Sequence, residues 1–205
     1  MMPLLGTTRR VRRDEARAPR DPATGIMVGA VPRSIGPEDA RGAVLFVHGF
    51  AGCGNNFHNL PDRVAAAGWR ARVMLLPGHG RSALDFETTR AEAMLQAVIQ
   101  EIQALRKSHE IVVTVGHSMG GALATVAASQ TPLDGLVLGA PYFGITRQWY
   151  YVFSPEKLIA KSSPFIRWVY ADPARQPVRR REISREIVSY CWRSSRAGIT
   201  AIGIA

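Results

Sequence analysis

The chain has 205 residues, enough for one well-cored domain and too few for two ordinary ones. With 46% apolar and 20% charged residues and a mean hydropathy of -0.03, its composition excludes wholesale disorder, and no apolar run reaches the roughly 18 residues that a membrane helix needs. The net charge of +10 does not make a nucleic-acid binder: the arginines gather in two terminal clusters without interleaved aromatics, Arg9, Arg10, Arg12, Arg13, Arg17 and Arg20 in one, Arg179, Arg180, Arg181, Arg185, Arg193 and Arg196 in the other.

Residues 1–24 are rich in Arg, Pro, Asp and Ala without periodicity, and read as a basic flexible arm. No apolar segment follows the first arginines, so no secretory signal is expected and the default compartment is cytoplasmic. Gly25 to Gly36 carries one or two short strands broken by Pro32. Ala43–Val47, AVLFV, is the first firm element, a short apolar run of the kind buried on both faces. Cys53 and Cys191 share no metal-ligand spacing and read as free thiols, so neither a metal nor a cofactor is expected.

A helix is predicted across Asn56 to Ala67, and RARVMLL, Arg70 to Leu76, is a second strand stopped by Pro77. Thr89 with Glu92 forms a capping-box pattern ahead of Met94, Leu95, Val98, Ile99, Ile102 and Leu105, which recur at helical spacing. The strand IVVTV, a small-residue helix from Met119 to about Ser129, and the strand LDGLVLGA, Leu133 to Ala140, follow. Strands alternating with helices give an α/β fold with a mostly parallel central sheet and helices on both faces. Residues 25–145 form this core. Residues 146–205 break the rhythm with an aromatic, Pro-interrupted stretch and a basic helical pattern carrying Ile183, Ile187, Val188 and Cys191 on one side, and read as a cap or lid. The final ITAIGIA stops without a polar tail, as expected of a chain truncated inside an element.

Gly116-His117-Ser118-Met119-Gly120 places a serine between two glycines, after a strand and before a helix. A turn that tight strains the serine backbone, and glycines two positions either side keep neighbouring Cβ atoms from clashing. Its hydroxyl then stands at a helix N-terminus, where free N–H groups favour developing negative charge. His48-Gly49-Phe50 ends AVLFV, at the sheet end where ligands bind in open α/β folds.

These segments, VLFVHGF (44–50), LLPGHGRS (75–82), VGHSMGG (115–121) and LVLGAPYF (136–143), resemble the α/β-hydrolases, in particular monoacylglycerol-lipase-like esterases and serine-aminopeptidase-like hydrolases. The resemblance covers about residues 25–170. It implies that Ser118 is the nucleophile on a nucleophile elbow, that the backbone N–H groups of Phe50 and Met119 form the oxyanion hole, and that the substrate is a small-molecule acyl ester. It also implies a triad acid and histidine on later loops, but no histidine follows Ser118, Asp134 lies before its strand, and Asp172, Glu182 and Glu186 lie in the cap. Neither partner is identifiable, and the fold is expected to be incomplete with an open sheet edge. His48, His79 and His117 read as packing or loop-fixing residues, His109 falls at the opposite strand end, and His58 has no assigned role.

The expected function is therefore ester hydrolysis through an acyl-enzyme on Ser118, with a non-catalytic product or an amidase of the same fold as alternatives. Trp149, Tyr150, Tyr151, Phe153, Phe165, Trp168 and Tyr170 either line an acyl site or pack on one another. Arg179, Arg180 and Arg181 suit a weak membrane-surface contact. The oligomeric state is left open.

Overall fold

A computed structural model describes residues 7–144, 154–172 and 188–204. Five strands make the central sheet: β1 (Arg33–Ile35), β2 (Gly42–Val47), β3 (Arg70–Val73), β4 (Ile111–His117) and β5 (Gly135–Gly139), in the order β1-β3-β2-β4-β5. All neighbours run parallel except β1, which lies antiparallel on β3. Strand β2 is buried at all six positions, and its side chains alternate between two cores. Ala43, Leu45 and Val47 join the larger one, while Val44 and Phe46 pack with Phe57, Ala71 and Val73 on the opposite face. This is why AVLFV has no polar alternation: both its faces are covered.

Helix α1 is Thr8–Glu15, α2 Leu60–Ala66, α3 Ala83–Thr88, α4 Ala91–Arg106 and α5 Met119–Gln130. Helix α4 buries Met94, Val98, Ile99, Ile102 and Leu105, as its periodicity predicts. Helix α5 is made of small residues because it lies against the sheet and α4. After residue 144 the described elements are α6 (Pro155–Ser162), β6 (Trp168–Tyr170), β7 (Trp192–Ser194) and α7 (Ser195–Ile202), with β6 and β7 antiparallel in a separate two-stranded sheet. No helix among the described residues is long and apolar enough to cross a membrane.

Four sequence expectations need correction. Within the supposed flexible arm, Thr8–Glu15 is a helix capped by Thr7 and docked through the fully buried Val11. The Trp168 indole N–H donates to Thr8 Oγ1 at 3.2 Å, that of Trp192 donates to Asp14 Oδ2 at 3.1 Å, and Glu15 Oε1 accepts the N–H of Ala83 at 2.7 Å. One apolar residue among arginines gives no periodic signal, because this helix is anchored mainly by polar contacts. The capping box at Thr89 is not formed: Thr89 ends α3, donating its hydroxyl to the Asp85 carbonyl at 2.8 Å, and Arg90 is the N-cap of α4. The helix expected over Asn56 to Ala67 is divided into a 3-10 turn, Gly54–Phe57, and α2. The basic helical pattern, whose period runs on to Trp192 in the sequence, ends before it: Trp192–Ser194 is a strand. Most of that pattern, with Arg179, Arg180, Arg181, Ile183 and Ile187, lies outside the described residues, as do Trp149, Tyr150, Tyr151, Phe153, Glu182 and Glu186.

Candidate active site

The parallel part of the sheet begins at β2, steps to one side for β3, and crosses back past β2 for β4, so the C-terminal ends of β2 and β4 flank the point where strand order reverses. Val47 pairs with Gly116 there, which brings the segments after both strands together. Ser118 follows β4 at φ 52° and ψ -121°, a left-handed conformation that costs a non-glycine residue about 1–3 kcal/mol. The surroundings enforce it. A Cβ on Gly116 would stand 2.6 Å from the carbonyl oxygen of Gly120, and one on Gly120 would overlap the carbonyl oxygens of Val47 and His48. The Ser118 carbonyl accepts the N–H groups of Gly121 at 2.9 Å and of Tyr142 at 3.0 Å, which ties the turn to α5 and to the exit of β5.

Gly49 approaches this turn so closely that a Cβ there would lie 3.0 Å from that of Ser118. Phe50 follows, its ring edge-on to Phe86 at 5.0 Å. The backbone N–H groups of Phe50 and Met119 have no acceptor among the described residues, although Phe50, Met119 and Ser118 line one cleft. The site thus presents two unpaired donors beside a hydroxyl that itself makes no described hydrogen bond.

Two cavities meet at Ser118. The apolar one, about 210 Å³, is formed on the core side by Phe50, Met119 and Tyr142. Ile159 from α6 and Gly198, Ala201 and Ile202 from α7 close its far side. The polar one, about 90 Å³, is lined by Gly49, Phe50, Asn56, His117, Ser118 and Arg193, among others. Described aromatics of the C-terminal region take no part in either wall: Trp168 is buried against α1, Tyr170 packs edge-on to Trp192 at 5.2 Å, and Phe165 is exposed. Small and aliphatic side chains of α6 and α7 make the wall instead.

Each histidine can now be placed. His48 is fully buried, donates through Nδ1 to the Gly49 carbonyl at 3.0 Å, and accepts the Leu76 N–H at Nε2 at 3.0 Å. Both ring nitrogens are engaged, and burial pushes its pKa down to about 4. His79, buried against His48 and Phe86, bonds the Pro77 carbonyl and is likewise held neutral, by burial and then by the neighbouring imidazole. His109 bonds the Ala40 carbonyl at the entry end of the sheet. His58 follows the 3-10 turn at φ 49°. His117 lines the polar cavity with an exposed side chain, its pKa lowered by partial desolvation, and makes no described hydrogen bond to Ser118. Asp134 accepts the Val112 N–H at 2.7 Å and pairs with Arg106. Six residues of strand separate that point from Ser118, roughly 20 Å. Among the described residues, no cluster of three His, Cys, Asp or Glu side chains could hold a metal.

Residues 38–188 match the family model described as serine aminopeptidase, S33. No curated protein matches the chain. Among solved structures, one from work on LipS and LipT, two metagenome-derived lipolytic enzymes, aligns with a TM-score of 0.70 at 22% identity, covering 87% of this chain and 69% of that one. The monoacylglycerol lipase of Paleococcus ferrophilus aligns with a TM-score of 0.61 at 19% identity, over 85% and 69% of the two chains. A soluble variant of monoglyceride lipase from Saccharomyces cerevisiae, in complex with a substrate analogue, gives 0.61 at 16% identity, over 84% and 63%. The chain therefore spans about two thirds of the length of the structures whose fold it shares.

Proposed function

The chain belongs to the serine aminopeptidase, S33, family of α/β-hydrolases, and from that premise we propose that it acts on carboxylic esters through Ser118. Strained backbone at Ser118, with the N–H groups of Phe50 and Met119 left unpaired around the same cleft, is the observation that carries this reading. Ser118 occupies a nucleophile elbow, and its Oγ attacks the acyl carbon. The carbonyl oxygen takes the negative charge and accepts the two free N–H groups as its oxyanion hole, each donor being worth about 3 kcal/mol in comparable sites. Collapse breaks the bond to the alkoxide, which leaves with the proton that Ser118 gave up, and water then attacks the acyl-enzyme to release the acid. Residues 146–205 serve as the cap, whose aliphatic residues Ile159 and Ile202 receive the acyl chain. The neighbours described as lipases make an ester the favoured substrate; the same acyl transfer would serve an amide.

A second reading is favoured by one observation: His48, His79 and His109 spend their ring hydrogen bonds away from Ser118. A serine and oxyanion hole without a base retain only about 10³ to 10⁴ over water, so on this reading the chain binds acyl compounds with little turnover. Hydrolysis of p-nitrophenyl octanoate by the native chain and by Ser118→Ala separates the readings. Turnover that the substitution abolishes supports the hydrolase; a native rate equal to that of Ser118→Ala supports acyl binding alone.

A further inference from the structure

Strand β7 alternates in the ordinary way: Trp192 and Ser194 are buried on one face, and Arg193 points from the other into the polar cavity beside Ser118. Half-buried, Arg193 has its Nε screened from solvent and without a hydrogen-bond partner, and no carboxylate among the described residues pairs with it. Other partly buried arginines are treated differently. Arg72 is bridged to Glu101 at 2.6 Å, Arg70 to Glu38 at 3.5 Å, and Arg106, whose Nε is also unpartnered, still holds Asp134 at 2.7 Å. Burial weakens the hold of Arg193 on its proton and, with no counter-charge among the described residues, is costly unless a ligand supplies the anion.

We propose that Arg193 anchors an anionic oxygen group, carboxylate or phosphate, on the substrate whose scissile carbonyl lies over Ser118. The assignment rests on Ser118 as the reacting centre. Phe50 and Ser118 line both cavities, so one ligand spans them with its apolar part against Ile159, Ala201 and Ile202 and its anion on the guanidinium. A cavity of about 90 Å³ admits a carboxylate or a phosphate. Asn56 already accepts the Cys53 N–H through its side-chain oxygen at 2.9 Å, which leaves its amide N–H groups as further donors. The natural substrate class is thus an amphiphilic ester with a negative charge close to the ester bond.

The test is calorimetric binding of octanoate, octyl phosphate and octanol to the native chain and to Arg193→Gln, Arg193→Lys and Ser118→Ala. One or both anions should bind native protein at least about tenfold more tightly than octanol, the scale of a charge-assisted hydrogen bond. Which of the two prefers the site distinguishes carboxylate from phosphate. Arg193→Gln should remove that preference while leaving octanol binding, which reports an intact fold, unchanged; Arg193→Lys should keep part of it. Equal binding of anions and octanol by native protein, or a preference that survives Arg193→Gln, overturns the proposal. Ser118→Ala should retain the preference, so an inert Ser118 in the ester assay would sink the hydrolase reading and leave the anion site standing.

Discussion

Gly120 and Val47 are so close that any side chain at Gly120 would drive its Cβ into the Val47 carbonyl oxygen. The first turn of α5 therefore rests directly on the backbone leaving β2, and Phe50 and Met119, which follow that strand and open that helix, line one cleft. Gly120→Ala should cost about 3 kcal/mol, since backbone rather than a flexible side chain must move. Urea unfolding measures it. A loss below 0.5 kcal/mol, on the scale of a neutral surface change, would mean that helix and strand are not in contact there.

Gly198 is the opposite case. A Cβ there meets nothing nearer than Ile159 Cγ2 at 3.9 Å, and the residue sits inside helix α7. Gly198→Ala should therefore stabilise by about 0.5–1 kcal/mol through helix propensity. Gly198→Phe should instead fill the apolar cleft and weaken octanol binding. Unchanged octanol affinity in the phenylalanine variant would remove α7 from the acyl wall.

His48 makes the protein sensitive to mild acid. Its pKa is depressed to about 4 in the fold from an ordinary 6.5, so the folded state disfavours the charged form. The stability this neutral imidazole confers is fully present above pH 6.5 and is lost as pH falls toward 4, by about 3 kcal/mol in total. With His79 likewise depressed, unfolding free energies from urea titrations should fall across that range with a slope of more than one proton, His48 supplying one of them. An NMR titration giving His48 an ordinary pKa would contradict the account.

Glu87 adds a lower-pH step. Its carboxylate takes two hydrogen bonds from Arg167, at 2.7 and 2.9 Å, and one from the Ser194 hydroxyl at 2.9 Å, joining α3 to the β6–β7 unit. Arg167, foremost among its partners, holds the carboxyl below its usual 4.5. This contribution is present above pH 4.5 and is lost as pH drops through the depressed value. Glu87→Gln should cost about 2 kcal/mol at pH 7 and flatten the stability profile below pH 4.5. A profile unchanged by the substitution would show that the cluster adds nothing.

The parts of this architecture that could be read beforehand are those whose cause is local in sequence. Ala43–Val47 and Ile111–Val115 announce strands because continuous apolar runs reflect burial on two faces, and α4 announces itself by period. The glycines around Ser118 announce a turn because few residues fit one that tight. Helix α1 gives no such signal, since Val11 is its one buried side chain and its other anchors are polar contacts to residues 68, 160 and 178 positions away. Gly198, Ala201 and Ile202 were hidden for a related reason: only the packing of α7 turns them toward Ser118. In the sequence Arg193 counts as one more positive charge, because a sequence shows the charge of an arginine and not its surroundings.

The central claim is that Ser118 is the nucleophile, and covalent labelling tests it most directly. The native chain and Ser118→Ala are treated with an alkyl fluorophosphonate, and the modified peptide is identified by mass spectrometry. The account predicts a single adduct on Ser118, absent from Ser118→Ala. An adduct on another residue, or labelling that persists at the same rate in Ser118→Ala, would contradict it.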